Sequence, residues 1–252
     1  GVMVNHPLRL ALLLFVVFTG FWDSRMSASA ALPSHPAGDR DFHRLPNGQD
    51  LRNMSVNGVR LSLAKGSGQS FSSAAQSLYQ KIKQGSQSNM NYPVQWVLMD
   101  LDSHRVVQES LGRDRRIFGA SSSKVFVAGA LMDRQGGTLT ASQLQLMADM
   151  LVVSSNTAWT NLQSQVGGGD ANKGRERIHQ FTQRMGYLNM RGFQGYWGRL
   201  HGNELTALES AEFLHDTYKG LYPGSEFVWK VMYTCRTGSS RGRKYFPSSL
   251  FV

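Results

Sequence analysis

The chain runs to 252 residues, 41% of them hydrophobic, which is enough to bury a sizeable core, and it carries a formal net charge of +10. Its single cysteine, Cys235, excludes an internal disulfide, and the basic balance suits contact with anionic polymers such as cell-wall material or nucleic acid. The one dense basic cluster, Arg236, Arg241, Arg243 and Lys244, has only Tyr245 and Phe246 as aromatic neighbours, so no nucleic-acid site is expected.

The N-terminus reads as a targeting segment. Asn5 to Arg9 is weakly basic, Leu10–Phe18 is uninterrupted apolar, and Ala28-Ser-Ala30 supplies small residues for cleavage before Ala31. The apolar run is shorter than the roughly 20 residues a membrane span needs, so 1–30 is expected to be a signal peptide, leaving no stable membrane span after its removal. The mature chain is then periplasmic or secreted and keeps a charge of +9, because Arg9, Arg25 and Asp23 leave with the leader. Residues 31–72 are polar and broken by Pro33, Pro36 and Pro46, and are expected to be a flexible lead-in to a domain spanning 73–252.

From Ser73 the texture changes. Ser73-x-x-Gln76 is a capping box and Ala75, Leu78 and Ile82 keep helical spacing, which predicts a helix ending at Gly85. Val94–Leu101, Asp102-Ser-His104 and Arg105–Ser110 read as a hairpin whose first strand is buried on both faces. Helices are predicted over Ser121–Arg134, Ala141–Leu151, from Asn156 through Leu162, over Gly174–Met185, after the Thr206-x-x-Glu209 cap, and from Gly224 to Cys235. The fold class is α/β in the α+β sense.

Two segments carry chemistry. In Phe118-Gly-Ala-Ser-Ser-Ser-Lys124 a helix opening at Ser121 places Lys124 one turn on, on the same face, where its amine reaches the serine hydroxyl. A serine is a poor nucleophile without an adjacent base, and a lysine serves as base when burial favours its neutral form. In Val152-Val-Ser-Ser-Asn156, Ser154 can relay a proton to a leaving nitrogen and Asn156 can hydrogen-bond a substrate amide. The same letters recur at Ser62-Leu-Ala-Lys65, in Gly-rich polar surroundings, and at Ser55-Val-Asn57, which precedes the other motif; flanks and order separate the pair from these decoys. The histidines form no triad setting, no metal site or cofactor is expected, and His201 and His215, 14 apart, read as exposed polar positions.

Arg116-Ile-Phe-Gly-Ala-Ser-Ser-Ser-Lys124, Met150-Leu-Val-Val-Ser-Ser-Asn-Thr-Ala158, Val166-Gly-Gly168 and Leu205-Thr-Ala207 together resemble the penicillin-recognising serine enzymes, and among them most closely the class A β-lactamase group. The resemblance implies a β-lactamase/transpeptidase-like antiparallel sheet flanked by helices plus a helical subdomain. It also implies Ser121 as acylated nucleophile, Lys124 as its base, Ser154 as proton shuttle and Asn156 as substrate contact, with a β-lactam or D-alanyl peptide as substrate and peptidoglycan as a further partner. The chain departs from the family pattern at Ser155, where aspartate is usual, and in the 33-residue separation of Ser121 from Ser154, shorter than in class A. The stretch 191–203 has no acid to activate a deacylating water, leaving Glu204 as the nearest carboxylate, and Lys-Thr-Gly is absent, which raises the expectation that the C-terminal strands lie beyond Val252. Hydrolysis of β-lactams is the first expectation; a D-alanyl-D-alanine carboxypeptidase or penicillin-binding protein and a non-catalytic cell-wall-binding relative are the alternatives.

Overall fold

The computed structural model describes residues 42–61, 80, 95–193 and 203–234, together with the backbone of 13–18. The strands are β1 (Leu13–Phe18), β2 (Ser55–Val56), β3 (Val59–Arg60), β4 (Gln95–Asp100), β5 (Arg105–Glu109), β6 (Ile117–Phe118) and β7 (Glu204–Leu205). The helices are α1 (Lys124–Arg134), α2 (Ala141–Val152), α3 (Asn156–Val166), α4 (Ala171–Arg184), α5 (Ala207–Tyr218) and α6 (Ser225–Tyr233), with short 3-10 turns at Leu51–Asn53 and Ala120–Ser123. Of the helix expected over 73–85, only Gln80 lies inside the described residues, and it is helical. Cys235 and the basic cluster that follows it lie outside them.

The dense apolar run after Pro93 becomes the central strand. β4 is buried at all six positions and bonds antiparallel to β5, with a register shift between Leu98 and Met99. Its other edge pairs in parallel with β1, Leu13 opposite Gln95 through Phe18 opposite Asp100. Neighbours on both edges and cover on both faces explain why this strand lacks polar alternation. Helix α5 lies on β1 and β4 and packs against α6. Its burial is wider than one stripe, since Ser210, Phe213 and Thr217 are buried as well as Ala207, Ala211 and Leu214. His215, expected to be exposed, is buried in the same helix.

The second layer is helical. α1 is buried from Phe126 to Met132 and packs against α2, α3, α4 and α6. A capping box starts α2: Thr140 accepts from the Gln143 N–H while the Gln143 side chain accepts from Thr140 N–H. Asp170 caps α4 by accepting from Asn172 and Lys173, and these backbone donors hold its carboxyl below the usual range. Thr206 caps α5, as its spacing to Glu209 predicts. Phe126, Phe193, Phe213 and Tyr187 form one aromatic cluster where α1 meets α5, with the Phe126 and Phe213 rings 4.6 Å apart.

Two expectations need correction. Residues 42–61 of the supposed flexible lead-in are folded into the body, with Leu45, Leu51, Val56 and Leu61 in the main core. Gln145 Nε2 donates to Ser55 O at 2.9 Å and Lys230 Nζ to Arg44 O at 2.7 Å, which tie the segment to α2 and α6. The signal was Val56-Asn57-Gly58-Val59: Asn57 and Gly58 both have positive φ, 50° and 75°, as a two-residue hairpin turn requires. The sheet content is also more than one hairpin, because β6 and β7 pair antiparallel, Ile117 opposite Leu205 and Phe118 opposite Glu204.

Candidate active site

Ser121 stands in the 3-10 turn ahead of α1, exposed to solvent, and Lys124 opens the helix with its residue only 2% accessible. A buried ammonium or amine must find hydrogen-bond partners. Lys124 Nζ lies 3.2 Å from Ser121 Oγ, 2.8 Å from Ser154 Oγ, 2.8 Å from Asn156 Oδ1 and 2.6 Å from the Ser154 carbonyl oxygen. The Trp159 ring sits 4.9 Å from the same nitrogen. The two motif segments, separated by a whole helix in sequence, therefore meet at one amine. A surface lysine beside a capping serine is not what the fold makes of this tetrapeptide.

The second segment is set by how α2 ends and α3 begins. Ser154 takes a left-handed conformation, φ 60°, and the chain turns there, with Ser155 N–H donating to Asp149 O at 3.0 Å. The cap of α3 is Ser155, whose hydroxyl accepts from Ala158 N–H at 3.1 Å. Capping is thus assigned to the middle residue of the motif, and the flanking Ser154 and Asn156 are released to face Lys124. The decoy Ser55-Val-Asn57 lies in the β2–β3 hairpin, and Ser62–Lys65 lies outside the described residues.

A residue that spacing did not reveal organises the first segment. Asn203 is fully buried; its Nδ2 donates to Ala120 O at 2.9 Å and to Ser123 Oγ at 3.1 Å, and its carbonyl accepts from Gly119 N–H at 2.9 Å. Ala120 is itself left-handed, φ 44°, so Asn203 fastens a bent backbone one residue before Ser121. The approach is close: a Cβ at Gly119 would lie 2.6 Å from Asn203 Oδ1 and from Leu205 Cδ1. The β6–β7 ribbon delivers both partners, since Gly119 follows β6 and Asn203 precedes β7. Sequence offered only a weak hint, an asparagine next to a glycine, which reads as a turn. Glu204, the nearest carboxylate by sequence, is paired with the Arg191 guanidinium.

Solved structures share this fold at low sequence identity. A β-lactamase from Chitinophaga pinensis superposes with a TM-score of 0.52 at 17% identity, over 68% of this chain and 74% of that one. A β-lactamase from Desulfarculus baarsii does so with a TM-score of 0.51 at 16% identity, over 69% and 74%. The chain has the fold of the penicillin-recognising serine enzymes. The D-alanyl-D-alanine carboxypeptidase DacD from Francisella tularensis is a further match, at 18% identity and a TM-score of 0.40, and this chain spans 38% of its length. No protein-family profile and no curated relative matches the chain. Among the described residues, no helix is long and apolar enough to cross a membrane.

Proposed function

We propose that the protein is an exported serine acyl-transfer enzyme that forms an acyl-enzyme through Ser121, with β-lactams as its first substrate class. The observation that carries this reading is the arrangement about Lys124 Nζ. Of its four named neighbours, the Ser154 carbonyl and Asn156 Oδ1 can only accept, so they take the two N–H of a neutral amine, and its lone pair is left for a hydroxyl. Ser121 Oγ, at 3.2 Å, is the hydroxyl exposed to substrate. As Ser121 attacks the substrate carbonyl, its proton passes to Lys124 and on through Ser154 to the nitrogen of the breaking C–N bond. Asn156 keeps Nδ2 to donate to a substrate amide. Water then cleaves the ester and regenerates Ser121.

A second reading is supported by the Arg191–Glu204 pair, which engages the nearest candidate for a water-activating carboxylate. With slow deacylation the same site would serve a peptidoglycan D-alanyl-D-alanine carboxypeptidase or penicillin-binding protein, and the basic charge, +10 for the full chain and +9 without the leader, suits a cell-wall polymer. The leader-like pattern of 1–30 supports a periplasmic or secreted location for either, in which case cleavage removes β1 and leaves that edge of β4 unpaired in the mature chain. Rapid-mixing measurements separate them. Steady turnover of a chromogenic cephalosporin supports the first reading; a single stoichiometric burst with a persistent adduct supports the second; a chain that binds isolated sacculi but takes no label would contradict both.

A further inference from the structure

The turn between β4 and β5 and the outer half of α5 bring together three metal-ligating side chains that the acyl-transfer site does not use. His104 Nε2 lies 2.5 Å from Glu212 Oε2, and the imidazoles of His104 and His215 stack with centroids 3.6 Å apart and planes 9° from parallel. One donor atom from each of His104, Glu212 and His215 lies within 4.8 Å of the others. In a four-coordinate zinc site, bonds of about 2.0–2.2 Å put donor atoms roughly 3.3–3.5 Å apart with the ion in the plane of each imidazole, so binding requires the His104 ring to turn out of its stack on His215 and Glu212 to draw back from His104. Those rotations are available: the side chains of His104 and Glu212 are 47% and 32% exposed, whereas His215 is 8% exposed and fixed.

The surroundings are built for a cation as well. His215 Nδ1 is 2.9 Å from Asp216 Oδ1, and the other oxygen of that carboxylate accepts from the Tyr187 hydroxyl. Burial, then Asp216, push the Tyr187 phenol far up, so it remains a donor. This chain of Tyr187, Asp216 and His215 fixes the ring and its tautomer, leaving Nε2 for a metal, as carboxylates do behind metal-bound histidines. Glu212 and His215 are three apart on α5 and so share a face. His104 holds a left-handed backbone, φ 55°, in the tight turn into β5, a conformation that histidine adopts more readily than most residues.

We propose that His104, Glu212 and His215 form a binding site for one divalent transition cation of the zinc class, with water in the fourth position, which ties the β4–β5 turn to α5. Two imidazoles and one carboxylate are a borderline donor set, suited to Zn2+ and Co2+ and poorly suited to Mg2+ or Ca2+. The sequence hides the site because His104 and Glu212 are 108 residues apart and only the packing of α5 on the sheet joins them.

Calorimetric titration of ZnCl2 into the chelator-treated full chain tests this, with Co2+ absorption as a readout of coordination number. One site per chain with tetrahedral Co2+ bands is expected. His104→Gly, which suits the left-handed backbone, and Glu212→Gln should each weaken Zn2+ by at least about tenfold, and Asp216→Asn by about 10- to 100-fold. Far-UV circular dichroism checks that each variant is folded, and penicillin labelling of Ser121 in His104→Gly should match the wild type. Absence of saturable Zn2+ binding up to millimolar metal, or binding equally tight in His104→Gly and Glu212→Gln, would overturn the proposal.

Discussion

At the scale of single residues, Ser154 separates backbone strain from chemistry. A serine held at φ 60° stores on the order of 1 kcal/mol that glycine does not. Ser154→Gly is therefore expected to melt at or slightly above the wild-type temperature, while the acylation rate falls by about a hundredfold from loss of the relay hydroxyl. Thermal unfolding and stopped-flow labelling on one sample check both halves, and a joint loss of stability and rate would show the hydroxyl to be structural. Asn203 makes the opposite case. Asn203→Leu leaves Ala120 O without its Nδ2 donor, which should cost about 1–3 kcal/mol and slow acylation by about a hundredfold as Ser121 shifts. Its role was illegible in sequence because its partners are some 80 residues away. Ser121 and Lys124 were legible because three residues along a helix is a local relation.

Elements explain which parts of the fold could be anticipated. Helices α1 to α6 follow from apolar spacing and capping residues close to where these residues place them. The β6–β7 ribbon, two residues per strand, has too little alternation to register as a pattern, yet it sets Gly119 against Asn203. Its far end leads into α5, where Glu209 is buried while accepting from Asn189 and Thr206. Burial raises the Glu209 pKa more than those bonds lower it. A carboxyl whose folded pKa lies above its unfolded value opposes folding once it ionises, so its contribution worsens as pH rises from the unfolded value through the folded one. Glu209→Gln should therefore gain stability relative to the wild type between pH 4 and pH 7, read from denaturant midpoints at each pH. A difference that stays flat or reverses would show that the ionised carboxylate is fully compensated.

Over the whole molecule, the segment at 42–61 changes how the domain is delimited. Composition alone marks it as a lead-in because Pro46, Gly48 and polar residues dilute its apolar positions. Those positions are spaced by turns, and each of Leu45, Leu51, Val56 and Leu61 drops into the core. Leu51→Ala should cost about 2–5 kcal/mol, comparable to Leu131→Ala in the middle of α1, since both side chains are 1% exposed. A cost near zero for Leu51 with the full cost for Leu131 would return the segment to the status of a tether.

On the proposed function, the fold converts two short motifs into one nucleophile and its base. Intact-mass spectrometry after incubation with a penicillin tests it most directly. A single covalent adduct is expected, mapped by peptide digestion to Ser121, absent in Ser121→Ala and strongly slowed in Lys124→Met. No adduct on the folded wild-type chain at saturating penicillin, or an adduct that persists in Ser121→Ala, would contradict it.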